Sequence, residues 1–131
     1  MPAKHNIDDK SKLLITTWIG EANDREMIEA MAKYQKDIRS KPEYKDFHEI
    51  VDFTQVTDVK VTPNGLRRLG QLASQNDHPE IKTKIAYVVN SPVGYGLTRM
   101  YETYRSLIPR NTKILKVFKC MDDALNWISQ P

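Results

Sequence analysis

Only one cysteine, Cys120, occurs in the chain, so no internal disulfide and no cysteine-based zinc site can form. The three histidines, His5, His48 and His78, stand in separate segments without metal-ligand spacing, and no metal or cofactor is expected. No apolar run approaches the ~20 residues that span a bilayer. The opening residues Met1-Pro2-Ala3-Lys4-His5-Asn6 hold no hydrophobic signal region, which makes a cytoplasmic location the expectation. Aromatic residues are few, 8% of the total, and the basic residues are not interleaved with them. No nucleic-acid motif occurs either, so nucleic acid is not an expected partner. Repeats, low-complexity tracts and linkers are absent, and residues 1–131 read as a single domain.

What is present is an ordinary globular balance of 40% hydrophobic and 28% charged residues, in a chain long enough for a real core. The net charge of +3 is unevenly spread. Residues 1–58 carry 9 Lys/Arg against 12 Asp/Glu, and residues 59–131 carry 11 against 5. The basic half includes Arg99, Arg105, Arg110, Lys113, Lys116 and Lys119. A solvated face accounts for them most simply, and a patch for an anionic partner is the sharper reading.

Leu13 to Ile19 is rich in β-branched residues and reads as a strand ended by Gly20, with Ala3 to Asp8 as its hairpin partner. Asn23 or Asp24 caps a helix whose stripe is Met27, Met31, Tyr34 and Ile38. Phe47 to Phe53 is a strand, followed by a polar loop and a helix over Pro63 to Ser74. Thr62-Pro63 opens that helix, because Pro at the first position lacks only an N–H that has no partner there. Ile85 to Asn90 is apolar on both faces, as a central parallel strand must be. A helix from Val93 or Gly94 to Leu107 shows the stripe Leu97, Met100, Tyr101, Tyr104 and Ile108. Thr112 to Phe118 is a strand. A last helix carries Asp122 and Asp123 in its first turn and Ala124, Leu125 and Ile128 inward. The order β-β-α-β-α-β-α-β-α implies an α/β fold with a mostly parallel sheet and an antiparallel N-terminal edge hairpin. Both faces of that sheet are apolar, and a twofold homodimer is the expected way to bury what four helices leave open.

Three stretches carry a resemblance. Val51-Asp52-Phe53 runs through a loop to Gly65-Leu66. Gly94-Tyr95-Gly96-Leu97-Thr98-Arg99-Met100-Tyr101-Glu102 comes after the central strand. Asp123-Ala124-Leu125-Asn126-Trp127-Ile128 closes the chain. In order and spacing these resemble the STAS fold of anti-sigma-factor antagonists, in particular its SpoIIAA-like (STAS/SEC14-like) branch. The resemblance implies a SpoIIAA-like fold and a role in regulation or protein interaction. A phosphorylatable antagonist has an Asp-Ser pair before this Gly-Leu, where the present chain reads Pro63-Asn64. The phosphoacceptor serine is therefore missing, with Thr62 one residue earlier.

The candidate site residues are Asp52, Thr62, Asn64, Ser91, Gly94, Tyr95, Gly96 and Arg99. Asp52 could take a proton or a cation, or simply accept N–H bonds from the residues after it. Thr62 could be phosphorylated or only cap its helix. Ser91-Pro92-Val93-Gly94-Tyr95-Gly96 leads from a strand into a helix start that suits a small anion, with Arg99 one turn in, or it is merely a tight helix entry. Cys120 reads as a small buried hydrophobe. Tyr34, Tyr101 and Tyr104 read as core or pocket lining. No nucleophile–base pair can be named, so the chain is not expected to be an enzyme. The leading expectation is a regulatory domain with an unnamed protein partner, working through the loops at 54–64 and 91–96. The alternative is a carrier of an anionic or lipid-like small molecule, for which so short a chain leaves little room.

Overall fold

The computed structural model describes residues 2–75, 77, 80–109 and 112–131, and the sequence readings of His78 and Arg110 lie outside them. Strands β1 (Ala3–Asp8) and β2 (Leu13–Asn23) form the hairpin. Helix α1 (Asp24–Tyr34), a π-helical turn (Gln35–Arg39) and a 3-10 turn (Pro42–Tyr44) lead to β3 (His48–Lys60). Then come α2 (Pro63–Ser74), β4 (Thr83–Val88), α3 (Pro92–Ser106), β5 (Lys113–Phe118) and α4 (Met121–Ser129). The sheet order is β1-β2-β3-β4-β5, antiparallel in the first pair and parallel in the rest.

Each parallel step from β2 to β5 goes to the next neighbour in the same direction. Right-handed crossovers then put all three connecting helices on one face. There Ile85 and Tyr87 of β4, and Val89 just beyond it, pack with Leu66, Leu69 and Tyr101. The alternate residues Ala86 and Val88 face the other way, with Leu13 and Ile50, onto Ala124 and Ile128 of α4. Trp127 lies against Phe118 with ring centroids 5.6 Å apart. The last helix thus covers the centre of the second face by itself. The large apolar side chains left open are Ile19 on β2, Val93 and Met100 on α3 with Leu107 at its end, Ile114 on β5 and Leu125 on α4.

Several sequence boundaries shift. Gly20 does not end β2. It sits at φ +89° in a stretch of register shifts, between Thr17/Ile19 and Gly20/Glu21, which lets β2 run on to Asn23. The expected loop after Phe53 is strand as far as Lys60, because Thr54, Val56, Thr57 and Val59 are β-branched and this stretch keeps pairing with β2. Leu125 and Met100 point outward, one residue off the buried positions Ala124 and Tyr101 of their helices. Cys120 is exposed, since it occupies the N-cap of α4 rather than a strand position.

Helix α4 is tied to the sheet by Lys84. Its Nζ donates to the carbonyls of Trp127 at 2.8 Å and Gln130 at 2.6 Å, and lies 5.2 Å from the Trp127 ring centroid. A cation here suits the carbonyls at the C-terminal end of a helix, where that of Trp127 also accepts from Gln130 N at 3.2 Å. The adjacent backbone N–H of Lys84 donates to Nδ1 of His48 at 2.9 Å. Burial, and then the charges of Lys84 and Lys113, pull the His48 pKa below its ordinary value.

Two stability outcomes are expected. Lys84→Met should lower the unfolding free energy by about 1–2 kcal/mol in urea titrations, through the lost charge-assisted bonds. The His48 shift makes the unfolded chain bind its proton first. Its contribution is therefore present above about pH 6.5 and lost as pH falls towards the lower folded pKa. The melting temperature should fall between about pH 7 and 5.5, and less steeply in His48→Asn, whose side chain can still accept from Lys84 without titrating.

Candidate functional site

Two helix starts are built alike. Thr62-Pro63-Asn64-Gly65 opens α2, and Thr62 Oγ1 accepts from Gly65 N at 3.1 Å. Ser91-Pro92-Val93-Gly94 opens α3, and Ser91 Oγ accepts from Gly94 N at 3.0 Å. Each glycine admits something a methyl would exclude. A Cβ on Gly65 would collide with the carboxylate of Asp24, and one on Gly94 would lie 2.7 Å from Cγ1 of Val89. Asp24 is placed there because its carboxylate accepts from both the backbone N–H of Thr62, at 2.9 Å, and its hydroxyl. That clamp joins the first turn of α1 to the first turn of α2. Thr62 Oγ1 is thereby occupied twice, as donor to Asp24 and acceptor from Gly65.

The remaining predicted positions part company. Asp52 Oδ1 accepts from Thr54 N at 2.8 Å within β3, and by strand alternation Asp52 shares the α4 side with Ile50. Asn64 and Gly96 are exposed, and no atom stands within 4 Å of where a Cβ on Gly96 would be. Tyr95 is half-buried, with Lys119 Nζ 5.9 Å from its ring centroid. Arg99 is exposed, and its Nε lies 3.7 Å from Glu102 Oε1 further along the helix, which turns it from the helix start. Ser91 and Gly94 alone of the eight line an apolar cavity under the helices, together with Asn90, whose side chain reaches the Thr54 carbonyl at 3.4 Å.

That cavity, about 180 Å3, lies between the sheet and α1, α2 and α3. Its walls are largely apolar, from Trp18, Met31, Phe53, Val56, Leu69 and Tyr87. Ser91 and Gly94 mark one end, beyond the end of β4. Charged groups gather at the other, near the starts of β3 and β5.

Tyr34 at the end of α1 donates to Glu49 Oε1 at 2.7 Å. Arg39 Nε is 3.9 Å from that oxygen, and Lys113 Nζ is 3.8 Å from Oε2. Lys113 also donates to Thr83 Oγ1 at 2.5 Å, and Arg39 Nη1 donates to the Tyr44 carbonyl at 2.8 Å. Beside them Arg105 grips Asp77 with two bonds of 3.0 Å. Burial, then the Glu49 charge, pushes the Tyr34 hydroxyl well above its ordinary pKa. Burial pulls Lys113 down, against the pull of Glu49. Burial raises Tyr101 to about 12. The His5 ring stacks on Tyr34, centroids 4.7 Å apart, and shares a 2.8 Å hydrogen bond with Thr16 Oγ1.

Sequence reasoning misses this charged end. Arg105 and Lys113 read as part of a surface patch, yet their side chains are 1% and 6% exposed. The usable signal is Tyr34 and Tyr101 on their helical stripes. Glu49 and Arg39 give none, since a charged residue beside a strand or helix reads as solvated. The cavity of about 180 Å3 is small, in keeping with the little room for a lipid-sized one expected of so short a chain. Among the described residues no group of three or more His, Cys, Asp or Glu forms a metal site, and no helix is long and apolar enough to cross a membrane.

No protein-family model matches the chain, and neither does any curated protein. Among solved structures it is similar to an uncharacterized protein of the DUF3478 family with a SpoIIAA-like fold, from Shewanella loihica PV-4. The TM-score is 0.54 and the identity 15%, over 96% of this chain and 91% of that one. A likeness at that identity is one of fold, and it is the fold the sequence motifs implied: the chain has a SpoIIAA-like fold.

Tyr34→Phe tests the charged end. Glu49 would lose its short hydrogen bond while remaining buried, so the protein should lose about 1–3 kcal/mol in urea unfolding. An unchanged midpoint would mean that the carboxylate is satisfied without Tyr34.

Proposed function

We propose that the chain is a non-enzymatic, ligand-binding regulatory domain that takes up a small apolar molecule between its sheet and α1–α3. One observation supports this above the others, the cavity of about 180 Å3 with apolar walls. Protein interiors are close-packed, and voids larger than a water molecule are few. A dry cavity of ~150 Å3 in another protein is enough to bind benzene. The cavity here offers shape and apolar surface rather than a nucleophile, base and oxyanion donors arranged around one point. Regulation by phosphate is the weaker reading. A phosphate on Thr62 would break its bond to Asp24 and set two negative groups against each other. In the favoured reading, occupancy of the cavity braces α1, α2 and α3, and a protein partner reads the exposed starts of α2 and α3.

Two measurements check it. Native mass spectrometry of protein purified from its source should show a retained small molecule that denaturing conditions release. In vitro, 1-octanol should raise the melting temperature, since a ligand at 100 times its Kd adds ~2.7 kcal/mol. Ala30→Phe, placed at the cavity wall on α1, should abolish that rise. No retained mass together with no thermal shift would end the proposal.

A further inference from the structure

We infer that the ligand of this cavity is an apolar acid whose carboxylate is received by the guanidinium of Arg39, an inference that rests on the cavity being a binding site. Arg39 ends the single π-helical turn, Gln35–Arg39, that continues α1. Turns of this kind are found frequently at functional sites. The side chain of Arg39 is 5% exposed and lines the cavity. Guanidinium carries five N–H donors in a planar fork. Among the described residues, one contact at hydrogen-bond distance uses them, Nη1 on the Tyr44 carbonyl at 2.8 Å. Glu49 stands beyond that distance, 3.9 Å from Nε, because its Oε1 is engaged by Tyr34. A guanidinium on a side chain this little exposed, with one of its donors bonded to Tyr44, is costly to bury unless an anion completes it.

The neighbours narrow the chemistry. Lys113 is bonded to Thr83, and Arg105 is matched by Asp77, so neither is the receiving group. Arg39 and Lys113 both lie beside the carboxylate of Glu49, which leaves this end of the cavity able to receive a small anion. The fork accepts the two carboxylate oxygens together, as arginine does for planar anions. The apolar remainder of the ligand then lies along Phe53, Leu69 and Tyr87 towards Ser91.

Octanoate and 1-octanol, matched in length and differing in the head, separate this inference from the cavity reading. By calorimetry at pH 7 the wild-type chain should bind octanoate at least about tenfold more tightly, as expected of a charge-assisted pair. Arg39→Gln should bind both equally, and Arg39→Lys should keep part of the preference. A carboxyl 13C titration of bound octanoate needs no variant, and its pKa should lie below that of free octanoate. Equal affinities in the wild type, a preference that survives Arg39→Gln, or a raised bound pKa would each overturn the carboxylate assignment while leaving the cavity a binding site. Binding of neither compound would overturn both.

Discussion

Three crossovers of one hand, all stepping the same way across the sheet, commit α1, α2 and α3 to a single face. Everything else in the molecule adjusts to that constraint. One face carries three helices and the other only the nine residues of α4. The crowded face has to fit helices of different lengths over strands of different lengths. β3 runs well past the last residue that β4 can pair, Asp52, and β2 accompanies it. Beneath the helices the cluster of Leu66, Leu69, Ile85, Tyr87, Val89 and Tyr101 packs but leaves the cavity beside it.

The helix starts hold their places by polar means. Hydroxyl caps fix the entry to α2 and α3, and Asp24 fixes α1 to α2 by accepting from Thr62. At the opposite end, Gln35 Nε2 donates to the Leu72 carbonyl at 2.6 Å and joins α1 to α2 again. Helices pinned at both ends span the cavity without filling it. This is a different solution from a packed core, where apolar contact alone sets the spacing.

Much of this was legible in the residues. Alternation in Ile85 to Val89 gave both faces of the central strand, and Thr62-Pro63 placed a helix start to the residue. Gly20 misled, because a glycine at positive φ serves a bulge as readily as a strand end. The polar residues after Phe53 misled because strand pairing with β2 outweighs their appearance of a loop. The charged end of the cavity was not legible at all. Arg39, Glu49 and Arg105 come from three separate elements, and the burial of Glu49 and Arg105 is made tolerable by partners, Tyr34 and Asp77, that are distant in sequence. Glycines at a helix start suggest a ligand's approach, whereas Gly65 and Gly94 make room for Asp24 and Val89 of the chain itself.

The π-helical turn after α1 has a consequence for how this chain tolerates change in length. Such a turn holds one residue more than an α-helical turn of the same rise. Removing one residue between Tyr34 and Arg39 would restore ordinary helix and leave the chain beyond it in phase with α1. Removing one residue from within α1 itself would instead turn everything beyond it by about 100°. The π turn is therefore the place where this helix can lose a residue while Tyr34 stays on Glu49 and Arg39 stays at the cavity.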